Sequence, residues 1–396
     1  MKSSDRVKDV QKHLIENKID GWLLYDFHKI NDLAISFLDI PEDRLLSRRF
    51  FYWIPAKGEP IKIMHIIEPY ALDHLPGESK IYLKWQELEE CLKETLKGAK
   101  VVAMEYSPRG AIPYVSKVDG GIIDLVRECG VKVVSSAPFL QYYTCVWDSD
   151  QLESHLAAAD VLDKTAEKAW QFIASALKNE KFITEYDVQQ MMLQEIEKNG
   201  CVTSSPPFCC VNAHSADPHY APQKENSSPI KKGDFILIDL WCKKKGPRST
   251  FADITRVGVA ASAPTERQNE IFQIVRSAQK AATEYVQNKV AAGEIVKGFE
   301  VDLVCRKVIA DAGYGKYFTH RTGHNIHTQD HGPGAHIDSL ETLDERPLIP
   351  RTCFSIEPGI YLPGAFGVRL EYDVYITEKR TIQITGGVQN ALKVLF

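Results

Sequence analysis

Two periods organise the hydrophobic and polar positions of this chain. Leu152, Leu156, Ala159, Leu162, Ala166, Trp170, Ile173 and Leu177 recur at three- and four-residue spacing, which predicts an amphipathic helix of about seven turns. Asp150 followed by Glu153 predicts its capping box. A second helix is expected from Thr184, with Asp187 in its first turn and Gly200 just beyond its end. Two more are expected over 264–286 and 299–312, the latter stopped by Gly313. Upstream, helix and strand signals alternate. A helix over 5–16 leads into the strand GWLLYD, followed by FFYWIP, IKIMHI, KVVAMEY and VKVVSS, with a helix over 122–129 between the last two. Short connections between such runs predict an α/β domain over residues 1–148. From 149 to 396 helices and strands fall in separate blocks, with strands densest between Cys353 and Ile384, which predicts an α+β domain.

Four acids break the hydrophobic pattern. Asp239 interrupts the apolar run FILIDLW, and Asp253 lies in the strand-like TFADITRVGV. Glu357 lies in CFSIEPGIY and Glu371 in GVRLEYDVYI. In that last run Val368, Leu370, Tyr372, Val374 and Ile376 share one face, while Arg369, Glu371 and Asp373 share the other. An uncompensated buried carboxylate costs several kcal/mol, so each acid needs a private Arg or Lys, or all of them share cations. Two divalent ions balance four carboxylates. Asp239 and Asp253 stand fourteen positions apart, as do Glu357 and Glu371, which suggests two similar hairpins facing one centre. A neutral imidazole from HRTGHNIHTQDH (320–331) is the expected fifth ligand.

Composition narrows the partners. The 396 residues carry a formal charge of −5, which offers no basic excess for phosphates and argues against nucleic acid. The apolar runs are too short to span a membrane, and the opening MKSSDRVKDVQKHL reads as helix, with no leader visible. Nine scattered cysteines without a CxxC fit reduced thiols in a cytoplasm.

The motifs around these acids resemble those of the pita-bread metallopeptidases, the group of Xaa-Pro aminopeptidases, Xaa-Pro dipeptidases (prolidases) and methionine aminopeptidases. Residues 149–396 resemble the pita-bread catalytic domain, and the preceding α/β part resembles the creatinase/prolidase-type N-terminal domain, which methionine aminopeptidases usually lack. The resemblance implies a metal-ligand set of Asp239, Asp253, His324, Glu357 and Glu371, with Asp253 and Glu371 bridging two ions. Oxygen ligands with one imidazole favour Mn²⁺ over Co²⁺, Fe²⁺ or Zn²⁺. It implies hydrolysis of Xaa-Pro bonds in small proline-containing peptides by a hydroxide shared between the metals, with Glu357 shuttling protons. His219 would lie near the substrate carbonyl or carboxylate, and His331 would support the tetrahedral intermediate. A homodimer is the family expectation. Arg369 has two readings, as a clamp for the product carboxylate or as the counter-ion of a neighbouring acid; His219 is either a substrate contact or a plain loop histidine. His327 is expected in a loop, and Cys209, Cys210 and Cys242 as buried packing. Asn325, His327 and Gly332 depart from the family pattern. Rival readings are another small-amide hydrolase, creatinase- or ectoine hydrolase-like, and a non-catalytic binding module. The four acids disfavour the creatinase-type version of the first, and the complete set of five ligand positions disfavours the second.

Overall fold

The computed structural model describes residues 3–396, and the chain parts into two compact units between Thr144 and Cys145. Among the described residues, no helix is long and apolar enough to cross a membrane.

The first unit is a mixed sheet of β1 (Gly21–Asp26), β2 (Phe50–Pro55), β3 (Ile61–His65), β4 (Glu78–Tyr82), β5 (Val101–Met104) and β6 (Lys132–Ser135), in the order β4-β3-β2-β1-β5-β6. Helices α1 (Ser3–Glu16), α2 (Asp32–Phe37) and α5 (Ala137–Thr144) cover one face, where Val10, Leu14, Phe37 and Phe139 pack on Trp22 and Leu24. Helices α3 (Trp85–Thr95) and α4 (Gly120–Glu128) cover the other, placing Leu88, Leu92 and Val126 on Leu23. All six residues of β1 are therefore buried. Strand β4 has no apolar run because it is an edge strand with only Tyr82 buried.

The second unit begins with α6 (Ser149–Lys178) and α7 (Glu185–Lys198). The cap of α6 differs from the sequence expectation. Asp148 is the extended N-cap residue, its carboxylate accepts the N–H of Gln151, and the Gln151 side chain returns to the Asp148 N–H. Asp150 is simply an acid in the first turn, where the helix dipole favours it. Strands β7 (Cys201–Val202), β8 (Phe208–Val211), β9 (Phe235–Lys244) and β10 (Ala252–Val259) follow, then α8 (Glu266–Ala291) and α9 (Gly298–Asp311). The chain ends with β11 (Asn325–Ile326), β12 (Cys353–Ile356), β13 (Gly359–Leu362), β14 (Phe366–Arg369), β15 (Tyr372–Ile376), β16 (Ile382–Thr385) and β17 (Lys393–Val394). One sheet runs β17-β10-β9-β7 with β8 also on β9, a second runs β11-β12-β15-β16, and β13 and β14 form a separate hairpin.

Period-two alternation decides what each sheet shows to the interior. On β9 and β10, Ile236, Ile238, Leu240 and Ile254 pack with α6 and α7, so Asp239 and Asp253 point the opposite way. On β12 and β15, Phe354, Ile356, Val374 and Ile376 pack with α8 and α9, leaving Ser355 and Asp373 on the other face. GVRLEYDVYI is two strands where the pattern suggested one: β14 pairs with β13, β15 pairs with β12, and Leu370 and Glu371 lie between them. The alternation survives the break, because Val368, Leu370, Tyr372, Val374 and Ile376 all enter the same core.

His155 ties α6 to the strands. Its Nδ1 lies 2.6 Å from the Phe251 carbonyl, which can only accept, so Nε2 accepts from the Thr385 hydroxyl at 2.7 Å. Burial pulls its pKa down to about 4. A base whose pKa is depressed by folding contributes full stability above its unfolded value near 6.5 and loses it as pH falls toward 4. Relative to His155→Gln, the parent should lose about 3 kcal/mol across that window. Thermal melts of both proteins between pH 7 and 4 check this; parallel curves would reject it.

Candidate metal centre

Strand register brings the acids together. Asp239 stands opposite Thr255, and Asp253 opposite Trp241, so the two aspartates are diagonal neighbours on one face of the β9–β10 pair. Glu357 and Glu371 instead flank the base of the β13–β14 hairpin, whose closing pair is Gly359 and Arg369. The equal fourteen-residue spacings thus arise from two different geometries.

Thr255 links both pairs. Its hydroxyl lies 3.1 Å from Asp239 Oδ1 and 2.7 Å from Glu371 Oε2, and it accepts from Arg369 Nε at 3.0 Å. His324 Nε2 is 3.3 Å from Glu357 Oε1 and 3.8 Å from Asp253 Oδ2. Its Nδ1 faces the Asn325 carbonyl at 3.4 Å, which leaves Nε2 free to act as a ligand atom. Ligand atoms of Asp253, His324 and Glu371 all lie within 4.8 Å of one another. All five predicted ligands therefore meet in one place.

The electrostatics fit a cation. Asp253 Oδ1 is fully buried and accepts no hydrogen bond. Burial, reinforced by Glu371 and Asp239, holds the Asp253 carboxyl well above its usual range. Burial and Glu357 do the same to Glu371, and burial with Asp239 pushes Glu357 up to about 7. Arg369 is the internal counter-charge. Its guanidinium pairs with Asp239 Oδ2 and reaches the Tyr361 hydroxyl at 3.0 Å. Arg369, with Arg321 also acting on Glu357, against four carboxylates still leaves negative charge that divalent ions would neutralise. Burial, with His331 and Arg321 nearby, keeps the His324 imidazole neutral, the form that binds metal.

The remaining histidines have distinct settings. His331 is exposed at its outer edge, its ring centroid 4.0 Å from that of His324. Arg321 Nη2 lies 3.2 Å from His331 Nδ1. A guanidinium has no acceptor, so Nδ1 accepts and Nε2 carries the proton. His219 lies on an exposed turn with its N–H on Asp217. The segment carrying it is anchored by buried Glu185, which accepts from the Val211 and Ser228 N–H groups, His214 and the Tyr220 hydroxyl. Its other anchor is β14: Ser215 accepts the Gly367 N–H, and a Cβ on Gly367 would stand 2.1 Å from the Ser215 carbonyl oxygen. His327 is half-buried in the loop after β11, beside Thr328. Cys209, Cys210 and Cys242 are buried free thiols.

Asn325 and Gly332 form a matched set. The Asn325 amide donates to the Cys353 carbonyl and accepts from the Gly334 N–H. A Cβ at Gly332 would lie 2.4 Å from Asn325 Oδ1, and one at Gly334 2.6 Å from Asn325 Cγ. The asparagine occupies space that these glycines vacate.

Thr255, Arg321, Tyr361 and Glu185 escaped the sequence reading. Thr255 alone carried a signal, being two residues from Asp253 on the same strand face.

An Xaa-Pro dipeptidase of Lactobacillus delbrueckii subsp. lactis is 34% identical over 222 residues, 55% of this chain and 55% of that protein. A putative dipeptidase, YkvY, of Bacillus subtilis (strain 168) is 31% identical over 257 residues, 65% of this chain and 64% of that protein. The chain thus matches little more than half to two thirds of these relatives' lengths. The crystal structure of dipeptidase PepE from Mycobacterium ulcerans superposes with a TM-score of 0.71 at 21% identity, covering 100% of this chain and 98% of that one, which shows a shared fold. The sequence profile of metallopeptidase family M24 matches residues 153–378, a span that holds all five candidate ligands, and the chain belongs to that family.

Proposed function

We propose that this protein is an Xaa-Pro dipeptidase working with two divalent metal ions, Mn²⁺ foremost, held by Asp239, Asp253, His324, Glu357 and Glu371. The observation that supports it most is the convergence of Asp253, His324 and Glu371 within 4.8 Å around a buried carboxylate oxygen that accepts no hydrogen bond. Bound there, the ions would lower the pKa of water and polarise the scissile carbonyl.

The protein groups supply the rest. Glu357, with its carboxyl near 7 before metal binds, would move a proton toward the leaving nitrogen. Any amide nitrogen must gain a proton to leave, and the proline nitrogen, which carries no hydrogen in the peptide, leaves as a secondary amine. His331 presents Nε2–H as a donor to the oxygen that develops charge. His219, on its anchored turn, would meet the substrate's outer end. Arg369 belongs to Asp239 and Tyr361, so the counter-ion reading suits it, and exposed His219 would attract a terminal carboxylate. The substrate class follows the dipeptidase relatives.

A peptide panel with Mn²⁺ tests this. Ala-Pro should be hydrolysed roughly tenfold or more faster, in kcat/KM, than its C-terminal amide, because a charged hydrogen bond contributes about 1.5–3 kcal/mol. Ala-Pro-Ala should fare no better than the amide. Equal or faster cleavage of the tripeptide would reject the dipeptidase and favour an aminopeptidase. Failure on every Xaa-Pro peptide by the metal-loaded protein would return the question to another small amide.

A further inference from the structure

Pro358 leaves a backbone carbonyl without its usual ladder donor beside two of the candidate ligands. The β13–β14 register, continued past Gly359 and Arg369, sets Pro358 opposite Leu370 and Glu357 opposite Glu371. The β12–β15 pairing agrees, with Ile356 opposite Tyr372. Leu370 N–H donates to the Pro358 carbonyl at 3.3 Å. In an antiparallel hydrogen-bonded pair the second residue returns the bond. Proline has no N–H to return, so the Leu370 carbonyl must find another donor. Glu357 and Glu371 turn their own N–H groups outward, to the Thr322 and Thr255 carbonyls at 2.7 and 3.3 Å.

The donor comes from α8. Gln279, buried beneath the hairpin base, places Nε2 2.9 Å from the Leu370 carbonyl and 2.9 Å from the Ile356 carbonyl. Two carbonyl acceptors fix the orientation of the amide, because only its NH₂ end can serve both. These carbonyls belong to the residues directly before Glu371 and Glu357. One side chain thus holds together the two chain segments from which both glutamates emerge.

We infer that Gln279 is a positioning residue for the metal centre, substituting for the missing Pro358 N–H and setting the separation of Glu357 and Glu371. It rests on the metal reading given above and adds a residue that touches neither ion nor substrate. Supporting groups around metal ligands commonly alter affinity by roughly 10–100-fold when changed.

Mn²⁺ binding to the full chain, measured by calorimetry well below the melting temperature, tests it without reference to activity. Gln279→Met keeps the volume and removes both donors, and Gln279→Asn keeps the amide but shortens its reach. Each should raise the Mn²⁺ dissociation constant roughly tenfold or more. Ala282→Gly, another buried substitution on α8, should lower the melting temperature and leave the dissociation constant unchanged. A Gln279→Met or Gln279→Asn constant within twofold of the parent would overturn the inference, as would an equal weakening in Ala282→Gly. Absence of Mn²⁺ binding by the parent would overturn the metal reading and this inference together; normal parental binding with an unaffected Gln279 variant overturns the inference alone.

Discussion

Asp253→Asn should abolish hydrolysis, lowering kcat/KM by roughly 10³-fold or more, since it removes a proposed metal ligand and with it the proposed source of the nucleophile. Asp253 Oδ1 accepts no hydrogen bond, and Oδ2 faces His324 across 3.8 Å, so both oxygens are available to a cation. An asparagine offers one neutral acceptor and turns an N–H donor toward the other position. The metal-free variant should nevertheless fold at least as well as the parent. Burial and the neighbouring Glu371, Asp239, Asp373 and Glu357 all oppose ionisation of Asp253, and the amide removes that opposition. Added Mn²⁺ should therefore raise the melting temperature of the parent by binding only the folded state, and raise that of the variant far less. Near-normal turnover of the variant under saturating Mn²⁺ would remove Asp253 from the ligand set.

His331→Ala should separate chemistry from metal binding. Arg321 holds Nδ1 of His331 at 3.2 Å and the ring stands beside His324, so Nε2 carries the proton that the proposed mechanism assigns to a reacting oxygen. Loss of such a preorganised donor lowers kcat by about 10²–10³-fold, with KM for Ala-Pro and the Mn²⁺ dissociation constant changing only a few-fold. Lost metal with kcat restored at saturating Mn²⁺ would instead make His331 a ligand.

The two predictions draw on different kinds of information. Asp239, Asp253, Glu357 and Glu371 were visible because charged residues inside strongly apolar strands are expensive. Their side of each strand followed from alternation, which persists through Leu370 and Glu371 even where the hydrogen-bonded ladder changes partners. His331 and His219 rested on family resemblance alone, since a histidine in a loop carries no periodic signal. The α6 cap was misplaced by two residues because Asp148 and Asp150 both precede a glutamine or glutamate by three, and only the backbone of Asp148 is extended.

By itself the sequence determined the α/β-then-α+β order, the helices α1, α4, α6, α7, α8 and α9 but not the shorter α2, α3 and α5, the faces of the strands and the four acids set in apolar runs. Those are local properties, set by residue period and by the cost of burying charge. Tertiary structure alone decided the pairing of Arg369 with Asp239, the tautomer that Arg321 selects at His331, the fit of Asn325 over Gly332 and Gly334, and the reach of Gln279 across the gap left by Pro358. Each joins groups from separate segments, and a hydrogen bond or close contact between them exists only once the intervening chain has packed.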